Sequence, residues 1–269
     1  MTAIHSAARP DSAAPFVRPA SLSGLRGLLR KELMEWRRAR RTRIVLLVTA
    51  LVMSLLAMNS WLQAQLIATE GIEGMPAPVL DPLMNLLAAA SAQIFVIASI
   101  FAVMGVLVTE RETGTLAWTA SKPVSRGTIW LAKFVSSTAV LWLVAGLIPL
   151  ATAAVLVVAL YGAPAVVPVL ITAAGIGMVI ALYVGISLAV STVVSSQAAV
   201  AGIALLVTFL PQFIGAVLPI SEYLPTSILE WSLAAAAGQP AGFATVVTWA
   251  FSVVALVAVS VSRMERMEL

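Results

Sequence analysis

The chain has 269 residues, 61% of them hydrophobic and 10% charged, with a formal net charge of +4 and a mean hydropathy of +1.02. A soluble globular domain carries about 25% charged residues, so this is the composition of a polytopic membrane protein, with room for about six spans of ~20 residues. The absence of cysteine excludes disulfides, thiolate metal sites and cysteine nucleophiles, and a lone histidine, His5, argues against a histidine-based metal or acid–base centre.

Residues 1–20 set Pro10, Pro15 and Pro19 among alanine and serine and read as a disordered cytoplasmic tail. From Ser21 the pattern changes. Leu22, Leu25, Leu29, Leu33 and Trp36 recur at spacings of three and four, with Arg26, Arg30, Lys31 and Arg37 between them. This spacing predicts a basic amphipathic helix over 21–43, lying in the membrane interface with its apolar face toward lipid. Arg37, Arg38, Arg40, Arg41 and Arg43 then stand directly before the first apolar run. Such a cluster suits anionic headgroups. Nucleic acid is not an expected partner, because no domain accompanies the cluster to read bases.

The first strong apolar run begins at Ile44, too late for a cleaved signal peptide, and reads as a retained span. Six spans are expected at Ile44–Leu62, Leu86–Val108, Phe134–Leu160, Pro168–Val194, Ala198–Leu218 and Phe243–Val261, forming a transmembrane domain over 44–262 with a short tail at 263–269. All sixteen Lys and Arg fall on one side of this arrangement: before the first span, around the second-to-third connection (Arg111, Lys122, Arg126, Lys133), and after the last (Arg263, Arg266). The positive-inside rule makes that side cytoplasmic, with both termini inside. The opposite loops hold Glu70, Glu73, Asp81, Glu222 and Glu230 and no base.

No charged residue falls within an expected membrane core, which argues against a self-contained proton- or ion-coupled carrier. The polar residues at depth, among them Asn59, Gln93, Thr152 and Gln212, suit interhelical hydrogen bonds. The fourth span carries a ladder of small residues, Ala173, Gly177, Ala181, Gly185 and Ala189, one narrow stripe along which another helix can approach closely. Packing within the subunit is favoured over a dimer seam. Pro149 and Pro211 lie inside spans and are expected to bend them or free backbone carbonyls. The scattered methionines share no helical spacing and suit core packing rather than copper. Between the fifth and sixth spans, Pro219 to Gly242 is too short and too polar to cross. Thr226 there is the expected N-cap of a re-entrant or surface helix, with Tyr223 and Trp231 at interfacial depth.

The most informative stretch is Thr109–Arg126, TERETGTLAWTASKPVSR. Thr109 followed by Glu112 has the spacing of a capping box, and Pro123 ends any helix begun there. About two turns are expected, with Leu116, Ala117, Trp118 and Ala120 as contacts. Two readings stand: a docking element for a cytoplasmic partner, or an ordinary basic loop.

The run Glu110-Arg111-Glu112-Thr113-Gly114-Thr115-Leu116, continuing to Ser121-Lys122-Pro123-Val124-Ser125-Arg126 and then Lys133, resembles the loop after the second span in ABC transporter permeases of the type-2 exporter class. Arg30-Lys31-Glu32-Leu33 with the following arginines looks like that family's interfacial elbow helix, and Tyr223-Leu224-Pro225-Thr226 like the region before its last span. The likeness runs from about Leu28 to the C-terminus.

The resemblance implies an all-α polytopic membrane protein with six transmembrane helices. To these it adds an N-terminal interfacial amphipathic helix, a short cytoplasmic coupling helix between spans two and three, and a re-entrant or surface helix between spans five and six. It also implies an ATP-driven half-transporter. A second permease subunit would pair with this one, as a homo- or heterodimer, and a separate ABC ATPase subunit would carry ATP and magnesium and dock on the 109–126 loop. Carried over residue by residue, Glu110, Glu112, Gly114, Leu116 and Arg126 would meet the ATPase. On physical grounds Leu116 and Trp118 would anchor in a groove, Gly114 would permit a close turn and the charges would orient docking. No G-x-x-x-x-G-K-[ST] phosphate loop occurs in the chain, so this subunit is not expected to hydrolyse ATP or hold a cofactor. Arginine over lysine and abundant alanine suggest a GC-rich bacterial genome, hence a bacterial cytoplasmic membrane.

Two other classes compete. A membrane-embedded enzyme needs a nucleophile with a base, or a metal, at membrane depth, and no such set is present. A non-transporting scaffold or assembly factor for an envelope complex would use the same fold without moving a substrate. For a transporter, the uncharged aliphatic interior suits an amphiphilic or apolar cargo.

Overall fold

A computed structural model describes residues 24–70, 94–121, 124–161, 166–218 and 223–267, and every regular element among them is helical. The N-terminal tail, Leu22, Glu73, Asp81, Gln93, Lys122, Pro123 and Glu222 lie outside the described residues. In hydrocarbon each backbone N–H and C=O must find a partner within its own segment, which is why long runs of Leu, Val and Ala resolve into helices.

The elements in order are α1 (Leu25–Arg38), α2 (Arg40–Glu70), α3 (Ile94–Val103), α4 (Val106–Glu112), α5 (Thr115–Ala120), α6 (Arg126–Leu141), a π turn (Trp142–Leu147), α7 (Ile148–Tyr161), α8 (Val166–Ser191), α9 (Gln197–Val217), a 3-10 turn (Pro225–Ser227), α10 (Ile228–Ala236) and α11 (Ala244–Arg266). Among the described residues, five stretches are long and apolar enough to cross a membrane: Arg40–Asn59, Ile94–Glu112, Arg126–Ala159, Val166–Ser191 and Ala244–Arg266. A shorter apolar stretch, Gln197–Pro211, lies in α9. The molecule is a multi-pass membrane protein, all-helical among the described residues.

The first helix departs from the expected 21–43. It stops at Arg38, where Ala39 turns extended (φ −65, ψ 131), and α2 begins at Arg40, so the last arginines belong to the spanning helix. The Thr42 hydroxyl donates to the Trp36 carbonyl at 2.6 Å and fixes this corner. The expected lipid-facing stripe also differs. Leu28, Glu32 and Trp36 are buried against the protein, whereas Leu33 and Met34 face outward. The body of the protein competes with lipid for α1 and takes the Leu28–Glu32–Trp36 face, because α6 supplies a cation for Glu32.

The centre of the bundle is α8, packed by α3, α6, α9, α10 and α11. Two indoles hold it by its backbone: Trp142 Nε1 donates to the Ala173 carbonyl at 2.9 Å and Trp249 Nε1 to the Met178 carbonyl at 2.8 Å. Of the small-residue ladder, Gly177 lies under Trp142, where a Cβ would come within 2.9 Å of the indole nitrogen. Gly185 meets Phe134 and Leu256 at ordinary contact distance. Ala173 is buried, and Ala181 and Ala189 are partly so. The closest approach falls outside the ladder, at Gly175, where a Cβ would overlap the Ser232 side chain of α10.

Pro149 is the second residue of α7, just past the π turn. Its missing N–H leaves the Ala145 carbonyl without an α-helical donor, and the turn before it widens. Pro211 stays inside α9. Helix α10 starts one residue later than the sequence expectation: Pro225–Ser227 form a 3-10 turn, so Thr226 lies inside that turn and Ser227 precedes the helix. Ile228, Leu229 and Ser232 form its buried face.

Candidate functional site

The basic end of the bundle gathers the 109–126 segment, α1, the start of α6, the turn from α8 to α9 and the end of α11. The path of the chain there is set by glycine rather than by a capping box. Helix α3 breaks at Met104–Gly105 and resumes as α4, which carries Thr109 in its middle and Glu112 at its last position. Thr109 therefore starts no helix: its N–H is already bonded to the Gly105 carbonyl at 3.0 Å. The turn is made at Gly114, with φ of 71° and ψ of 0°, a left-handed conformation that costs an L-residue with a side chain about 1–2 kcal/mol. Helix α5 follows at once and is six residues long, close to the two turns expected.

This reversal sorts the segment's side chains. Leu116 and Thr119 turn inward, Leu116 to 1% exposure, and Trp118 turns outward at 63%. Glu112, Gly114 and Ala117 share the exposed side. A groove on another protein could thus be entered by Trp118 but not by Leu116, which is already in the core cluster of its own chain.

Glu110 points back into the molecule. The Lys133 ammonium donates to Glu110 Oε1 at 2.7 Å and to Glu32 Oε1 at 3.0 Å. Lys31 lies 3.6 Å from Glu32, 3.7 Å from Glu110 and 3.2 Å from Glu35. Three helices meet in this group: α1, α4 and α6. Lys133 is 1% exposed and Glu32 3%. A buried ion group of this kind adds little net stability over an apolar one, but removal of one partner leaves a buried charge at about 3–5 kcal/mol. It acts as a geometric lock. The carboxylates of Glu32, Glu35 and Glu110 have oxygens within 4.8 Å of one another, and the two ammonium groups supply the opposing charge. Burial by itself pushes the Lys31 ammonium down, yet Glu110, Glu32 and Glu35 together hold it above its ordinary 10.5. A raised lysine stabilises fully below 10.5 and loses that contribution only above it, so the Lys31 contacts persist through the physiological range.

Three further bonds extend the lock. Arg111 Nη1 donates to the Ser191 carbonyl at 3.1 Å, closing the C-terminus of α8 where carbonyls lack helical partners. Gln197, the first residue of α9, donates through Nε2 to Thr109 Oγ1 at 3.1 Å. Arg126 donates to the Met267 carbonyl, just past α11. Beside it Gly127 lets α6 and α11 close up, since a Cβ there would come within 2.7 Å of Val261. Ser125 caps α6, its hydroxyl accepting from the Thr128 N–H at 3.1 Å.

The expected contact residues therefore divide into two groups. Glu112, Gly114 and Trp118 form an outward face, and Glu110, Leu116 and Arg126 tie that face to the helices behind it. The packing residues Ala173 to Ala189 lie elsewhere, along α8. Sequence reasoning did not single out Glu32 or the pairing of Lys133 with two acids. One signal existed: Glu32 sits four residues from both Leu28 and Trp36, an acid on what becomes the buried stripe of α1.

Residues 28–269 match the family described as ABC-2 family transporter protein. No curated protein matches the chain.

Proposed function

Because this chain belongs to the ABC-2 transporter family, as a multi-pass membrane permease, we propose that it is the membrane half of an ATP-driven exporter. In this reading six helices cross a bacterial cytoplasmic membrane, the sixth crossing being supplied by α9, whose 21 residues extend about 31 Å at 1.5 Å each. Both termini face the cytoplasm. A second permease completes the pathway, and a separate ATPase carrying ATP and magnesium docks on the 109–126 segment.

The observation that carries this reading is the combination at the basic end: an outward face with Trp118 63% exposed, joined rigidly to α1, α6, α8, α9 and α11 by Lys133, Arg111, Gln197 and Arg126. A push on such a face reaches the whole bundle at once. Tryptophan is also among the residue types enriched at binding hot spots. A loop serving only to connect two spans needs no such network.

The test is co-purification from native membranes in mild detergent, with Trp118→Asp beside the wild type. A stoichiometric P-loop ATPase retained by the wild type and lost from a normally inserted Trp118→Asp supports the reading. Equal recovery with both chains, or no ATPase after cross-linking, overturns it.

A further inference from the structure

Helices α2 and α3 leave an open groove of about 400 Å³ between them, lined by Val45, Val48 and Val52 on one side and Ile97, Ala98 and Phe101 on the other. One wall residue besides these is polar without charge, Thr49, and its hydroxyl is spent on the Val45 carbonyl at 2.7 Å. The single charged residue of the lining is Arg41, at one end. Its guanidinium lies 4.5 Å above the Trp36 ring, a cation–π contact that fixes the group in place. Its Nε is buried and has no hydrogen-bond partner among the described residues.

The dimensions identify the occupant. From Arg41 to Val52 the helix rises about 16 Å at 1.5 Å per residue, close to half of the ~30 Å hydrocarbon core. The groove is one leaflet deep. A guanidinium held in place by Trp36 stands at its headgroup end, and Arg40 and Arg43, both exposed, add positive field there. We infer that the groove binds one anionic phospholipid, an acyl chain lying along Val45, Val48, Val52 and Phe101 and the phosphate accepting from Arg41. This lipid belongs to the leaflet that faces the arginine cluster. The site is independent of the proposed ATPase docking, since no residue of the 109–126 segment lines it.

The experiment uses the full chain purified with its native partners, delipidated in mild detergent and titrated with phosphatidylglycerol or phosphatidylcholine of the same acyl composition. Bound lipid is counted by native mass spectrometry. One phosphatidylglycerol per chain is expected, preferred about fivefold over phosphatidylcholine, from ~1 kcal/mol per basic residue at the surface. Arg41→Gln removes the preference, Arg41→Lys keeps most of it, and Val48→Trp, which fills the groove at an exposed position, lowers the binding of both lipids. Equal binding of the two lipids by the wild type, or an unchanged preference in Arg41→Gln, overturns the proposal. Because the chain has no cysteine, Val48→Cys gives a further check. Complete disulfide cross-linking between two chains in the membrane would mean that a second copy, not a lipid, covers the groove.

Discussion

The Lys133 ammonium lies 2.7 Å from Glu110 Oε1 and is almost wholly buried, so the middle of α6 and the last turn of α4 are pinned to each other behind the exposed face of the 109–126 segment. Glu32 takes a second proton of the same ammonium at 3.0 Å. The N-terminal helix is thereby held to the bundle by charge at its centre, with Leu28 and Trp36 packing on either side.

Lys133→Met is expected to destabilise the chain by up to about 3–5 kcal/mol, because it removes the buried cation that Glu32 and Glu110 share and leaves only the half-exposed Lys31, 3.6 and 3.7 Å away, to oppose them. Combining it with Glu32→Gln recovers part of that loss, with a coupling of roughly 0.5–3 kcal/mol. Thermal unfolding of the four chains in one detergent measures both quantities. Strict additivity would show that the two groups do not interact.

Leu116→Asp and Trp118→Asp separate packing from surface contact. Leu116 is 1% exposed, so a carboxylate there is buried without a partner and lowers the melting temperature even of the isolated permease. Trp118→Asp, at a position 63% exposed, lowers the melting temperature much less, because the new carboxylate stays in solvent. Equal melting of both variants would contradict the inward turn of Leu116.

Gly175→Ala puts a methyl group where the Ser232 side chain now lies. Overpacking of this kind costs about 1–3 kcal/mol, and it falls on the contact of α10 with α8. Hydrogen exchange should therefore rise in residues 228–236 more than elsewhere. Adding Ser232→Gly relieves the overlap and restores protection. A uniform change across the bundle would point to another cause.

Gly114→Ala strains a left-handed residue by about 1–2 kcal/mol without meeting any neighbour, whereas Gly114→Asn is tolerated better. Limited proteolysis reads the difference: cleavage between Thr113 and Ser121 should accelerate in the alanine variant and change little in the asparagine one. Identical cleavage in all three chains would remove the role assigned to the turn.

The cysteine-free chain also permits a topology measurement. Single cysteines at Glu230 and at Glu112, both exposed, should react with an impermeant thiol reagent from opposite sides of the membrane. Reaction of both from one side would end the six-crossing arrangement.

Composition alone carried the membrane class, because 61% apolar residues in runs of this length have no soluble alternative that satisfies their backbones. The family, too, was legible, in the spacing of Glu110 to Leu116 and Ser121 to Arg126. Local patterns were less reliable where tertiary partners compete with them. Thr109 and Glu112 have the spacing of a capping box, yet α4 runs straight through Thr109, since the continuing helix satisfies its N–H at Gly105 and needs no cap. Likewise the α1 stripe that suited lipid is divided, with Leu25, Leu29 and Trp36 packing on the protein and Leu33 facing outward.

What the sequence determined by itself is whatever depends on neighbours along the chain: helices, their apolar length and the left-handed turn available to Gly114. Tertiary structure decided which side chains those helices share. Lys133 and Glu32 are 101 residues apart, and no local rule joins them. Their pairing exists because a buried charge is tolerable only against an opposite one, and only the packing of α1 on α6 brings that charge within reach.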